Sequence, residues 1–277
     1  GVHALCTTAH ADLCRDYSKE NYTSDYLTTG INRYFQKAKI DIRIRKTLGV
    51  PSHFHSRFNA SGRTYLYRLA VCKTESKLPI ESLTPISEHQ RLYVIRAPYF
   101  DVKIAKAACE IIKGTHDFKS FAGASSKREK RTIRTERSID DLNITPGRPL
   151  LDPIHDTLYD NLEFLDVNVK AQSFLYKQVR RTVGVIVAAA QNKISLTDVE
   201  FMLNNPSIYS WNPRICTAPS HGLYLINVHY PETAFEEEAS SQESNAKSQQ
   251  ELNEEFKPDT SFRYDPLLTT KGYKPGG

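Results

Sequence analysis

The sequence has no Cys-x-x-Cys pair, no nucleophile elbow, no glycine-rich phosphate turn and no metal-ligand spacing. No apolar run approaches the ~20 residues of a membrane span. The five cysteines, Cys6, Cys14, Cys72, Cys109 and Cys216, are odd in number and scattered. That excludes a secreted disulfide framework and a zinc site as first readings and favours a reducing, intracellular setting. Methionine is nearly absent: Met202 is the only one, and the chain starts at Gly1. It therefore reads as a processed form or a fragment. A targeting signal cannot be sought, and the choice between mitochondrion and cytoplasm or nucleus stays open.

Positive charge is what the sequence has in excess. Before Glu232 there are 32 Lys+Arg against 22 Asp+Glu, a body of +10; from Glu232 to Gly277 there are ten acidic and five basic residues, a tail of −5. A +10 body suits a polyanionic partner, although mild basicity alone does not require one. The tail, 232–277, is rich in Glu, Ser, Gln, Asn and Lys and is expected to be disordered. The 39% hydrophobic content, concentrated before it, is enough for a core.

Residues 1–13 read as a loop running into a strand. Leu27, Ile31, Tyr34 and Phe35 mark a helix from Asp25 to Ala38. Ile40, Ile42 and Ile44 alternate with charged residues, as in a half-buried strand ended by Gly49 and Pro51. Arg63 to Val71 is a second strand, and 73–100 is a proline-containing connection. A helix follows from Val102 to Lys113, with Asp101 as its N-cap and Gly114 as its stop. Strands are predicted at 138–144, 162–170 and 223–230, and a helix at Leu196–Asn204 is boxed by Ser195 and Asp198. This alternation implies an α+β fold with helices on one face of a mainly antiparallel sheet.

The stretch Ser173 to Ala190 predicts a central helix with a buried stripe of Leu175, Val179, Val183, Ile186, Val187 and Ala190. Lys177 and Arg181 fall on its far side, whereas Arg180 falls at the edge of the stripe. An arginine there needs an anion, either a structural partner or a site carboxylate. Tyr65 and Tyr67 share one strand face, which suits core packing as well as base stacking. Lys127 to Arg137 carries six basic residues and two glutamates, and reads as a solvated loop or a phosphate-contacting arm. His53 and His55 read as surface hydrogen-bonding groups.

Six blocks, taken in order, carry a resemblance. They are Gly1-Val-His-Ala-Leu5, Phe54-His-Ser-Arg-Phe58, Arg63-Thr-Tyr-Leu-Tyr-Arg68, Gly114-Thr-His-Asp-Phe-Lys-Ser-Phe121, Phe174-Leu-Tyr-Lys-Gln-Val-Arg180 and Ala218-Pro-Ser-His-Gly-Leu-Tyr-Leu225. Together they resemble the TruA-type tRNA pseudouridine synthases over about residues 1–230, with the central helix most like animal members of mitochondrial type.

The resemblance implies two ferredoxin-like (RRM-like) halves whose sheets meet at a basic cleft. It divides the chain into 1–72, the remainder of the N-terminal half; 73–100, a connection; 101–231, the C-terminal half; and the tail. It implies isomerisation of uridine in tRNA without cofactor or metal, with a homodimer left open. Tyr65 matches the tyrosine that stacks on the target uracil, Arg180 the arginine that pairs with the catalytic aspartate, and Leu223 the leucine packed beside it. Arg57 and the basic residues Lys127, Arg128, Lys130 and Arg131 are the expected RNA contacts. In the family the first block is preceded by Arg-Thr-Asp-Ala. The catalytic aspartate is therefore expected upstream of Gly1, and residues 1–277 alone are expected to be inactive. A relative that binds RNA without chemistry is the competing expectation.

Overall fold

A computed structural model describes residues 2–13, 22–72, 79–123, 134–151, 154 and 156–236. Its centre is the strand β2, Gly62–Cys72, where Tyr65, Tyr67, Leu69 and Val71 recur at every second position and every residue from Tyr67 on is buried. Burial of both faces leaves backbone pairing as the only outlet for its polar groups, and both edges are used. One edge pairs antiparallel with β6, Leu162–Ala171, from Arg63↔Ala171 to Cys72↔Leu162. The other is shared: β7, Leu223–His229, pairs antiparallel with Gly62–Tyr67, and β3, Tyr93–Arg96, runs parallel beside Leu69–Cys72. The sheet continues through β5, Glu136–Pro146, to β4, Gly114–Asp117, and on the far side through β7 to β1, His3–Ala4.

Helices α2 (Val102–Ile112), α3 (Gln178–Ala190) and α4 (Leu196–Asn204) cover one face of this sheet, and Tyr67, Leu69 and Val71 pack into their core. A smaller cluster, Ala70, Cys72, Leu83, Leu92, Val94 and Leu162, fills part of the other face. There Arg68 pairs with fully buried Glu88 through two bonds of 2.7 and 3.1 Å. Glu88 also accepts the Leu150 amide. Removing one partner of such a pair costs about 3–5 kcal/mol. The mixed architecture, mainly antiparallel, is the one expected from sequence. So are the Asp101 cap of α2, the stop at Gly114 (φ 102°) and the Ser195–Asp198 capping box of α4.

Four local expectations are corrected. The first is the central helix, which starts at Gln178, because Lys177 adopts a left-handed φ of 60° that breaks the turn. Residues 40–45 form no strand: Asn32, on α1 (Ser24–Lys37), instead bonds both the amide and the carbonyl of Ile44, taking the place of a neighbouring strand. The N-terminal strand shrinks to the two residues of β1. The tail starts later than Glu232, since Glu232–Phe235 forms a 3-10 turn with Phe235 stacked 5.5 Å from Phe54; the rest of the tail lies outside the described residues. In the sheet, β2, which precedes 73–100, lies between β6 and β7. Among the described residues no helix is long and apolar enough to cross a membrane.

Candidate active site

Period-two alternation puts Tyr65 and Tyr67 on the helix-covered face, with very different surroundings. Tyr67 is wholly buried, donates its hydroxyl to Pro219 O at 2.7 Å, and meets Tyr93 edge-on. Burial, with Tyr93 beside it, pushes its phenol far above the ordinary range. Tyr65, two residues nearer the strand end, is half-buried. Its ring meets Phe174 edge-to-face at 5.4 Å, and burial raises its phenol while Arg63 opposes the shift. Of the pair, Tyr67 is a core residue and Tyr65 the one that can offer a ring.

Opposite these tyrosines, the segment Ile215–Gly222 is wedged between α3 and β2. Two glycines make that approach possible. A Cβ at Gly184 would lie 2.3 Å from the Cys216 carbonyl oxygen, and one at Gly222 would lie 2.7 Å from the Tyr67 ring and 2.8 Å from Arg68 O. Arg180 and Ala218 then hold each other: Arg180 Nε donates to Ala218 O at 2.6 Å, and the Ala218 amide donates to Arg180 O at 3.1 Å. This fixes the half-buried guanidinium by its Nε. Among the described residues no carboxylate pairs with it.

Other positive or titratable groups gather here. His221 is held below the ordinary imidazole range, first by burial and then by His3, His89 and Arg180, with the bond its ring donates to the Leu92 backbone opposing; it is uncharged at neutral pH. Leu223, next to this segment, is buried against the same core as Tyr67, with which it pairs across the ladder. The structure therefore brings Leu223 and, through the Ala218–Pro219 turn, Arg180 to Tyr67 at the middle of β2, with Tyr65 two residues along the same strand face. A carboxylate placed against Arg180 would be charge-stabilised there. Among the described residues no three His, Cys, Asp or Glu side chains form a group able to hold a metal ion.

Arg57 is exposed in the loop before β2, its guanidinium 5.8 Å from the Phe58 ring centroid. Arg63 donates to both Arg57 O and Gln172 O, which links this loop to the approach to Phe174. Lys127, Arg128, Lys130 and Arg131 lie outside the described residues. Arg181 corrects the expectation of a solvent-facing side chain. It donates to the Ser120 and Ala122 carbonyls and stacks 4.1 Å over Trp211, because α3 is enclosed on that side too. Sequence reasoning did not single out Gly184, and it quoted Ala218 and Gly222 within the sixth block without the packing parts they play. An isolated glycine inside a helical pattern, as at Gly184, was the available signal.

A family model described as tRNA pseudouridine synthase matches residues 108–231. Over 236 residues the chain is 34% identical to "tRNA pseudouridine synthase-like 1" of Xenopus laevis, covering 84% of this chain and 74% of that protein. It is 32% identical to the Homo sapiens protein of the same name, over 83% of this chain and 72% of that one. It is 31% identical to "tRNA pseudouridine synthase A" of Ehrlichia ruminantium (strain Welgevonden), over 83% and 78%.

Proposed function

The chain belongs to the tRNA pseudouridine synthase family, and from that membership we propose that it isomerises uridine to pseudouridine in tRNA. In this reaction the N1–C1′ bond breaks, the base turns, and a C5–C1′ bond forms. The proton lost from C5 is matched by one gained at N1, so no oxidant, reductant or second substrate enters. The protein has to take the nucleotide out of its stack, hold the base as it turns, and stabilise the charge that develops. We assign base stacking to Tyr65, the ion pair with the catalytic aspartate to Arg180, and the apolar wall beside that aspartate to Leu223. Arg57, with Lys127, Arg128, Lys130 and Arg131, is assigned to the RNA backbone.

The observation that carries this reading is Arg180. It is held half-buried by a backbone carbonyl, close enough to Tyr67 and His221 for its charge to act on both, and has no carboxylate partner among the described residues. We propose that its partner is an aspartate upstream of Gly1. The register supports this: β1 runs parallel to β7 with His3↔Tyr224 and Ala4↔Leu225. Followed backwards, that parallel path leads past Leu223 and Gly222 towards Ala218, the residue bonded to Arg180.

The two ferredoxin-like halves belong to the same proposal. Support for one of them is the order β2–α2–β5–β6–α3–β7, interrupted by β3, β4 and α4 and laid out in the sheet as β7–β2–β6–β5, a strand–helix–strand–strand–helix–strand unit. On this reading the segment 1–72 lends β2 to the sheet of the 101–231 half. Free Cys6, Cys72, Cys109 and Cys216 support an intracellular, reducing setting.

The test is tritium release from tRNA labelled at uridine C5, using the protein with its upstream sequence restored. Release is expected, and Arg180→Ala should lower turnover on the order of 10²–10³-fold. Near-normal turnover in that variant would remove Arg180 from the site. Binding of tRNA with no release from the unmutated protein would make the chain an RNA-binding relative without the chemistry.

A further inference from the structure

We infer that His3 is a positioning residue for this reaction: its imidazole clamps β1 onto β7 and onto the loop Glu88–Arg91, and so fixes where the chain entering β1 lies against Arg180. The inference rests on the proposal that the catalytic aspartate precedes β1. A strand of two residues, followed by the Leu5 amide bond to Leu225 O at 2.9 Å, has few ladder bonds of its own. His3 supplies two further contacts. Its ring stacks on Tyr224, with centroids 4.7 Å apart and planes 21° apart, and its Nε2 lies 2.8 Å from Gln90 O. A carbonyl only accepts, so Nε2 carries the proton and donates it.

The loop that receives this bond is fixed from three directions. Gln90 holds a left-handed φ of 58°, a conformation that persists in a non-glycine residue where its surroundings enforce it. On one side of Gln90, buried Glu88 is gripped by Arg68 and by the Leu150 amide. On the other side, Arg91 O accepts from the Tyr224 hydroxyl at 2.8 Å and from Arg68 Nη1 at 3.4 Å. The same Tyr224 therefore stacks on His3 and ties the loop that bonds it. A surface histidine making an incidental hydrogen bond needs no such closed ring of contacts. Tyr224 lies between Leu223 and Leu225 and faces the opposite side of the sheet from Leu223 and Tyr67. His3 accordingly acts through the backbone of β1.

The protein with its upstream sequence is assayed for tritium release from tRNA as wild type, His3→Ala, His3→Gln and Tyr224→Phe, with Tm measured for each. A displacement of about 1 Å at a reacting group costs on the order of 10²-fold. His3→Ala should therefore lower kcat by about that factor, with KM for tRNA and Tm little changed. His3→Gln retains a nitrogen able to donate to Gln90 O and should recover part of kcat. Tyr224→Phe keeps the ring but loses the bond to Arg91 O, and should fall between wild type and His3→Ala. If His3→Ala does not fold, a kcat loss at unchanged KM and Tm in His3→Gln carries the same conclusion. Wild-type kcat in His3→Ala, or losses that follow Tm across the variants, would overturn the clamp while leaving the synthase reading intact. A wild type that binds tRNA without release would overturn both.

Discussion

Helices α1 and α3 look alike on paper and have opposite fates. Both are amphipathic, and they are 14 and 13 residues long. No residue of α1 is buried, and Tyr34 is 54% exposed; in α3 every residue except Arg180 and Arg181 is buried. Apolar periodicity states that a face can be buried, and the presence of a partner decides whether it is. For α3 the partners come from every side: the sheet, α2, the wedged segment Ile215–Gly222 and Trp211. For α1 the contact that holds the following chain is polar, the Asn32 side chain on Ile44.

The sharpest way to break this contrast is at Gly184. Gly184→Val puts a branched side chain where even one Cβ would stand 2.3 Å from a carbonyl oxygen. Overpacking of this kind costs about 1–3 kcal/mol or more, so a large fall in chemical-denaturation midpoint is expected, together with loss of turnover as Ala218 withdraws from Arg180. A near-wild-type midpoint would show that the wedge is loosely held. Arg181→Met comes next: it leaves the Ser120 and Ala122 carbonyls without their charged donor and should cost about 1–3 kcal/mol. Its fluorescence should also shift, because Trp211, the single tryptophan, loses the cation above it. The smallest effect is expected on α1, where Ile31→Ser should change stability by no more than about 0.5 kcal/mol. A large loss there would mean that α1 is covered in solution.

The same contrast separates what was legible in the sequence from what was not. Caps and stops are local chemistry, and Asp101, Gly114 and the Ser195–Asp198 box were all readable, as were the strands 136–146 and 162–171 to within a few residues. The three-isoleucine alternation at 40–44 misled because a strand requires a neighbour, and pairing is not written in the strand's own residues. The insertion of β2 between β6 and β7 is equally non-local. At the candidate site, Tyr65, Arg180 and Leu223 were picked out because each falls in a distinctive block. Ala218 and Gly222 fall in the same block as Leu223, but their parts, like that of Gly184, depend on close approaches between segments far apart in the chain and were not readable.

The pairing of β1 with β7 has a consequence for biosynthesis. His3 and Tyr224 stand side by side in the sheet although more than 200 residues of chain lie between them. Loop closure over so long a span is slow, and nothing translated early can substitute for β7. The N-terminal strand must therefore wait, unpaired, until Leu223–Leu225 has emerged. The β1–β7 edge beside the candidate site is the last part of the sheet to close, and a chain stopped before β7 can bury much of its core without completing it.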